Sequence, residues 1–421
     1  MGKGLGVIFT CVALGLAVQG CQHAPDPDNR TGKVRIVFKH RPMVGNTSEF
    51  RERLASFTRA HPEVDLMTEV LPNAADLTHQ YYFTALAAQS RDIDVFVADI
   101  IWIPEFARAG FLRDLSDAFP PADIERDFIE GSARAVIVGG RTFAVPWYVD
   151  VGLLYYRTDL VSRPPRTYDE LESFANLAKH NDPSLFGYLW QARQYEGLIC
   201  NGFESIWGHG GVTMQGDRVT LDTPQARAGL DFLRGLLDRG TSPKSVTSAM
   251  EEDSRRVFEQ GRAVFMRNWP YAWTELQKED SPVRGKIGVA PLPTTTGEPG
   301  FGALGGGQLV INAAAPQSHF AASIDLVRTM TSLDANIAFA VANGQPPPRK
   351  AAYTDERLKT QAPFIASLYP IVARSRPRPV TAYYNMISDI IESEFSAAVT
   401  GIRSTPVAFG RAQLTIDRIA Q

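Results

Sequence analysis

The chain has 421 residues, long enough for two hydrophobic cores and beyond the size at which a single core stops growing. Hydrophobic residues make up 44% and charged residues 21%, which excludes a disordered, collagenous or many-span membrane protein. A net charge of −3 leaves no electrostatic footprint for nucleic acid or an anionic membrane, so an uncharged small-molecule ligand is the first expectation.

At the N-terminus, Lys3 gives a short basic region, residues 5–18 (LGVIFTCVALGLAV) form an apolar run, and Val18-Gln19-Gly20-Cys21 follows. This resembles a bacterial lipobox: a small Gly20 suits a signal peptidase, and the Cys21 thiol can be alkylated to leave a lipid anchor, palmitate among its acyl chains. The run is shorter than the roughly 20 residues of a membrane span. An ordinary signal peptide with a chance cysteine is the alternative. The reading is a leader over 1–20 and a lipid-anchored, Pro-rich tether over 21–32. With Cys11 lost in the leader and Cys21 used as anchor, Cys200 stands alone, so the mature chain has no disulfide framework. Its apolar surroundings read as core filler.

VRIVF (34–38), VDLMTEV (64–70) and IDVFVA (93–98) read as strands, separated by helices that carry Phe50, Leu54 and Phe57 and span Asp76 to Gln89. Strand, helix, strand, helix, strand is a parallel doubly wound unit, which presents ligands beyond the carboxyl ends of its strands. Asp99 lies at such an end, with Trp102 close behind. Further on, Thr167 with Glu170 forms a capping signal ahead of a stripe of Leu171, Phe174 and Leu177, with Lys179 and His180 near the helix end. Thr223-Pro224 opens a helix carrying Ala226, Leu230, Leu233 and Leu237 that Gly240 stops. KIGVAPL (286–292) and QLVIN (308–312) are predicted strands, Ser332 opens a helix that Gly344 closes, and Pro346 to Pro348 mark a connector.

Gly300-Phe301-Gly302-Ala303-Leu304-Gly305 matches a dinucleotide fingerprint, but a strand-like run follows where a helix N-terminus should receive the pyrophosphate. The seven histidines include no H-E-x-x-H and no spacing for a metal, and there is no G-x-S-x-G elbow or P-loop. No cofactor, metal or catalytic residue is expected. A secreted glycoside hydrolase needs only two carboxylates flanking a bond, so it stays open as an alternative, as does a purely structural lipoprotein.

Acid beside aromatic recurs: Asp99 with Trp102, Trp147 and Tyr148 with Asp150, Trp190 and Tyr195 with Glu196, and the trio Trp269, Tyr271, Trp273. Sugars suit such walls, because their C–H faces stack on rings while their hydroxyls donate to carboxylates. Any one of these aromatics could equally be core.

DVFVADIIW (94–102), LYYRTDL (154–160), WQARQYEGLIC (190–200), RNWPYAW (267–273), SPVRGKIGVAPLP (281–293) and RPRPVTAYY (376–384) carry a resemblance. From about residue 34 onward the chain resembles the extracellular solute-binding proteins of ABC sugar importers, family 1, and within them the trehalose/maltose-binding group. The resemblance implies an α/β, two-lobe periplasmic-binding-protein fold of type II. Each lobe is a mostly parallel sheet flanked by helices, with hinge crossovers between them. One lobe would comprise 33–146 plus 302–348 and the other 147–301 plus 349–421. It further implies a monomer, facing the periplasm or exterior, that delivers sugar to a permease with an ATPase partner. By the same resemblance, Asp99 with Trp102, Tyr148 with Asp150, Trp269 with Tyr271, Gly305 with Gly306, and Arg378 line the ligand site; Trp190, Tyr195 and Glu196 match as well. Relatives often carry an acid where Asn46 stands, an arginine at Tyr81 and a tryptophan at Gly307. Asn46 and Tyr81 therefore join the candidate ligand residues, at an end of the groove expected to grip less. Two ligand classes follow: an α-linked disaccharide such as trehalose, maltose or sucrose, and a glucosylated compatible solute such as glucosylglycerol.

Overall fold

A computed structural model describes residues 32–419, apart from 44, 45, 73, 74 and 217. The predicted leader and the Cys21 anchor lie outside the described residues. The alternating pattern at the start folds as read: β1 (Val34–His40), α1 (Ser48–Ala60), β2 (Val64–Val70), α2 (Ala75–Ala87) and β3 (Val95–Asp99). Strands β1, β2 and β3 pair in parallel with β1 in the middle, and their apolar residues are sealed between helices, as a doubly wound sheet requires. A short helix α3 (Ile103–Arg108) follows.

The chain then crosses over through β4 (Val145–Pro146), β5 (Asp150–Val151) and β6 (Leu153–Arg157). Helix α4 (Tyr168–Asn181) starts where the capping signal predicts, with Thr167 Oγ1 accepting from the Glu170 N–H at 3.1 Å. Its buried stripe is Leu171, Ala175 and Ala178, and Leu177 is 63% exposed. The 3.6-residue period turns Leu177 away from the face that Leu171 defines, so small alanines do the packing expected of a leucine. Next come β7 (Phe186–Leu189), α5 (Glu196–Gly208), α6 (Pro224–Asp238), α7 (Glu251–Glu259), β8 (Ala263–Asn268) and β9 (Ile287–Ala290). Thr223 caps α6 and Gly240, at φ +69°, turns the chain just beyond it.

Strands β10 (Ala303–Gly305) and β11 (Gly307–Ile311) return the chain to the first sheet. A strand therefore follows the glycine run, which removes the dinucleotide reading. Helices α8 (Phe320–Thr331) and α9 (Leu333–Asn343) follow, the latter capped by Ser332 and ended by Gly344 at φ +68°. Strand β12 (Arg376–Pro377) and α10 (Tyr384–Val399) belong to the last stretch.

Among the described residues three sheets have the orders β2-β1-β3-β11-β4, β9-β6-β8-β7 and β12-β10-β5, beside two short two-stranded ribbons within 137–142 and 214–219. In each of the two larger sheets all strands but one run the same way; the exceptions are β11 and β6. Both exceptions have one cause: each enters its sheet directly from the small third sheet and so runs away from it, while β3, β7 and β8 run towards it.

Buried apolar residues form two cores. One gathers Ile36, Phe96, Trp147, Leu309 and Phe339. The other gathers Val149, Tyr155, Trp190, Phe265, Leu304 and Tyr353. The chain passes between them at Tyr148, between Leu304 and Leu309, and again between Phe339 and Tyr353. These passages lie side by side, with the Trp147 N–H donating to Gly307 O at 3.0 Å and the Val149 N–H to Pro346 O at 3.0 Å. The lobes also meet at their rim, where His79 Nε2 lies 2.8 Å from Glu105 Oε2 and 2.6 Å from Asn385 Nδ2 of the opposite lobe. Arg108 covers the Tyr383 ring at 4.5 Å beside it.

Candidate functional site

Asp99 is the last residue of β3, and its carboxylate accepts the Ile101 N–H at 3.3 Å, capping a short turn over Ile100–Trp102. Across the sheet it pairs with Gly307, while Asp150 on β5 pairs with Gly305. One run of three glycines thus passes both acids. Gly306 stands at φ +124°, and a Cβ there would lie 2.2 Å from Tyr148 O, so backbone conformation and space both demand glycine. A Cβ on Gly305 would meet Asp150 Cβ at 3.5 Å and Trp269 Cζ3 at 4.0 Å, which puts acid, glycine and indole side by side. A Cβ on Gly307 would lie 2.5 Å from the Tyr148 ring. That ring rests on the glycine, in the space a side chain at 307 would need.

Trp269 leaves β8 at its carboxyl end. Its carbonyl accepts the Tyr155 hydroxyl at 2.8 Å and its Nε1 donates to Glu251 Oε1 at 3.1 Å. Its inner face covers the Arg267 guanidinium at 3.8 Å. Arg267 is fully buried and paired with Glu204 at 2.6 Å and 2.8 Å, and Glu204 also accepts the Ala303 N–H at 2.9 Å. The stacking ring and the strand leading into the glycines therefore share one buried ion pair. Tyr271 donates its hydroxyl to Glu252 at 2.8 Å, and burial, with Glu252 adding, pushes that hydroxyl's pKa upward.

Arg378 reaches Asp99 at 3.4 Å with one arm of its fork and Glu196 at 2.7 Å with the other. Glu196 is itself held by Tyr384 at 2.6 Å and Ser388 at 2.5 Å. The arginine therefore ties the end of β3 to the N-terminus of α5, in the opposite lobe. The pKa of Asp150 is pushed up to about 6, chiefly by burial, with Arg41 opposing and Asp99 adding to the rise.

Asp99, Tyr148, Asp150, Trp269, Gly305, Gly306 and Arg378 thus come together where the two cores meet. Trp102 sits just beneath them, 2% exposed, in contact with His79, Tyr82 and Phe106. Trp190 is sealed in the second core, its Nε1 donating to Ser242 at 3.1 Å. Asn46 and Tyr81 engage other partners. Asn46 accepts the Ser48 N–H at 2.9 Å on its side chain and Asn343 Nδ2 at 2.8 Å on its carbonyl. The Tyr81 hydroxyl accepts from Lys39 Nζ at 2.9 Å, and Lys39 also binds Glu69.

Sequence reading missed Arg41. It follows β1, whose carboxyl end lies beside that of β3, and Tyr148, Asp99 and Asp150 are the groups whose charges act on it. Burial works against its charge, and Tyr148 and the two carboxylates more than offset this, so Arg41 holds its proton more firmly than an ordinary arginine. The signal available was its place one residue past a strand end.

No helix among the described residues is long and apolar enough to cross a membrane. A family model described as bacterial extracellular solute-binding protein matches residues 45–336. A Deinococcus radiodurans protein described as a probable ABC transporter-binding protein is 35% identical over 362 residues, covering 82% of this chain and 84% of its own. Among solved structures, maltose-bound MalE3 of T. maritima is 36% identical with a TM-score of 0.84, over 92% of this chain and all of that one. The sugar-binding protein MalE from Xanthomonas citri shares the fold at a TM-score of 0.76 and 23% identity, over 92% and 97% of the two chains. With two α/β lobes, chain crossings between them and these matches, the chain belongs to the bacterial extracellular solute-binding proteins, a family of transporter binding proteins and not of enzymes.

Proposed function

We propose that this chain captures a small α-linked glucoside, maltose foremost, between its lobes and delivers it to an ABC permease while tethered to the membrane through lipid on Cys21. The observation that carries the reading is the convergence of Asp99, Asp150 and Trp269 on the glycine run between the two cores. Rings and acids on both sides of a hinge suit a guest with apolar faces and hydroxyl edges. The similarity to a maltose-bound relative over nearly the whole chain supports the same guest. The lobes are assigned as 33–146 plus 302–348 and 147–301 plus 349–421. The changeover of the two cores near Tyr148 and in the glycine run supports this assignment within a few residues.

A second reading, a glucosylated compatible solute such as glucosylglycerol, is favoured by one feature. The Tyr148 ring occupies the place of a side chain at Gly307, and Tyr81 is bound to Lys39, so the far end of the groove offers less to a second sugar ring.

Titration calorimetry of the chain from Gln22 onward against maltose, trehalose, sucrose and glucosylglycerol decides among these guests. Asp99→Ala should weaken the preferred sugar roughly 10- to 150-fold, the value of hydrogen bonds to a charged group. Trp269→Ala should weaken it comparably through lost stacking. Unchanged affinity in both variants would remove the site assignment. Prolonged incubation with trehalose, maltose and an aryl glucoside should release no glucose.

A further inference from the structure

We propose that Glu251 is a positioning residue of this site: its carboxylate grips the indole N–H of Trp269 and fixes the plane on which a sugar ring stacks. The proposal rests on the sugar-binding reading above and adds a residue that the family resemblance does not assign.

Residues 251 and 269 are joined twice. Through their side chains, Trp269 Nε1 donates to Glu251 Oε1 at 3.1 Å. Through the backbone, the fully buried Asn268 accepts the Trp269 N–H on Oδ1 at 2.8 Å and donates from Nδ2 to Glu251 O at 3.1 Å. These three bonds close a ring that ties both the main chain and the polar tip of Trp269 to the start of α7. An indole held only by its main chain can still turn between rotamers, whereas one held at Nε1 as well stays in one of them.

The other sides of the indole are set too. Arg267 covers one face at 3.8 Å. The Cζ3 edge, across the ring from Nε1, faces the glycine run, 4.0 Å from where a Cβ on Gly305 would stand. Glu251 therefore holds one edge, Gly305 meets the opposite edge and Arg267 backs one face, which leaves the other face of this partly buried ring for a sugar to stack on. The next residue of α7 acts in the same way on the second aromatic. Glu252 accepts the Tyr271 hydroxyl at 2.8 Å and is itself held by the buried Arg255 at 2.9 Å. Two successive acids at one helix start thus take the polar tips of two aromatic candidate ligand residues. A side chain already fixed in its bound orientation is not ordered when the ligand arrives, and for one large side chain this strengthens binding roughly 2- to 10-fold.

The test uses the full chain with maltose as probe, for wild type, Glu251→Leu, Glu251→Gln, Trp269→Phe and the double variant Glu251→Leu/Trp269→Phe. Glu251→Leu should weaken maltose roughly 2- to 10-fold, and Glu251→Gln, whose side-chain carbonyl still accepts the indole N–H, should return most of that loss. The Trp269 indole N–H resonance, identified by its disappearance in Trp269→Phe, should move upfield in Glu251→Leu and back in Glu251→Gln. Phenylalanine keeps a stacking ring but has no N–H, so Glu251→Leu should cost nothing further in the Trp269→Phe background. Equal losses in both backgrounds would overturn the proposal and make Glu251 a direct contact of the sugar or a support of the whole lobe, and an indole resonance that stays in place in Glu251→Leu would overturn it as well. If wild type binds no maltose, the functional reading fails instead, and the indole resonance still decides whether Glu251 holds the ring.

Discussion

Replacing Glu204 with glutamine tests the reasoning about how the stacking wall is supported. Arg267 is fully buried and the Glu204 side chain is 4% exposed, joined by bonds of 2.6 Å and 2.8 Å. Glutamine keeps the shape, and its carbonyl can still accept the Ala303 N–H, so the change isolates the charge. What remains is a guanidinium buried without its counter-ion, which costs about 3–5 kcal/mol. For a lobe of this size, roughly 2–4 °C per kcal/mol gives a fall in melting temperature of about 6–20 °C. Urea unfolding and calorimetry measure it directly. The double variant Glu204→Leu/Arg267→Met should lie closer to wild type, because removing both charges leaves neither one stranded. Sugar affinity should fall in Glu204→Gln as well, since Trp269 stacks on the same arginine at 3.8 Å. A Glu204→Gln protein within about 1 kcal/mol of wild type would refute the account of a desolvated, mutually dependent pair.

Gly307→Ala must displace the Tyr148 ring, so stability should fall by about 1–3 kcal/mol and sugar affinity should fall with it, both read from denaturation and titration of one preparation. Asn385→Leu breaks the rim contact with His79 and Glu105 without touching the proposed ligand residues, and should lower affinity by loosening the closed form; scattering should show a larger radius of gyration in the sugar-bound state. The pKa of Glu392 is raised to about 8 by burial first and then by Glu196, Asp76 and Asp389. The folded state therefore binds more protons there than the unfolded chain between its ordinary range and pH 8, and stability falls as pH rises through that window. Glu392→Gln should accordingly raise the melting temperature more at pH 8 than at pH 5.

Much of this fold was legible because its signals are local. The first three strands and two helices follow from alternation and helical spacing, and Thr167, Thr223, Ser332 and Gly344 mark helix ends by chemistry that needs no tertiary contact. Leu177 was misplaced because period alone does not say which side of a stripe the core lies on. At the site, Asp99 was legible from its strand end, whereas Asp150, Trp269 and Arg378 needed the family resemblance to be joined to it. Arg41 escaped both routes, since the groups that act on its charge, Tyr148 and Asp150, lie more than 100 positions away in the chain. The long range of the Glu204–Arg267 pair hid it in the same way; within the sequence each is one more charged residue on an apolar element.

The hinge position of the site also sets how strongly a sugar could close the lobes. A ligand moves that equilibrium only through contacts present in the closed form and absent in the open one, and shifting it from 1:99 to 99:1 takes about 5.5 kcal/mol. Hydrogen bonds to charged groups contribute about 1.5–3 kcal/mol each. About two to four such bonds made only on closure are therefore enough. Asp99 ends a strand of one lobe, whereas Asp150 and Trp269 lie on the other side of the crossing at Tyr148. On the proposed reading, a sugar seated on Trp269 would gain the bonds to Asp99 only when the lobes meet, and the division of the acids between two lobes would turn binding into closure. Moving the carboxylate of Asp99 to a neutral amide, Asp99→Asn, should then do more than weaken binding. It should leave a larger share of the sugar-bound protein open, and scattering that shows the bound Asp99→Asn protein as compact as wild type would separate capture from closure.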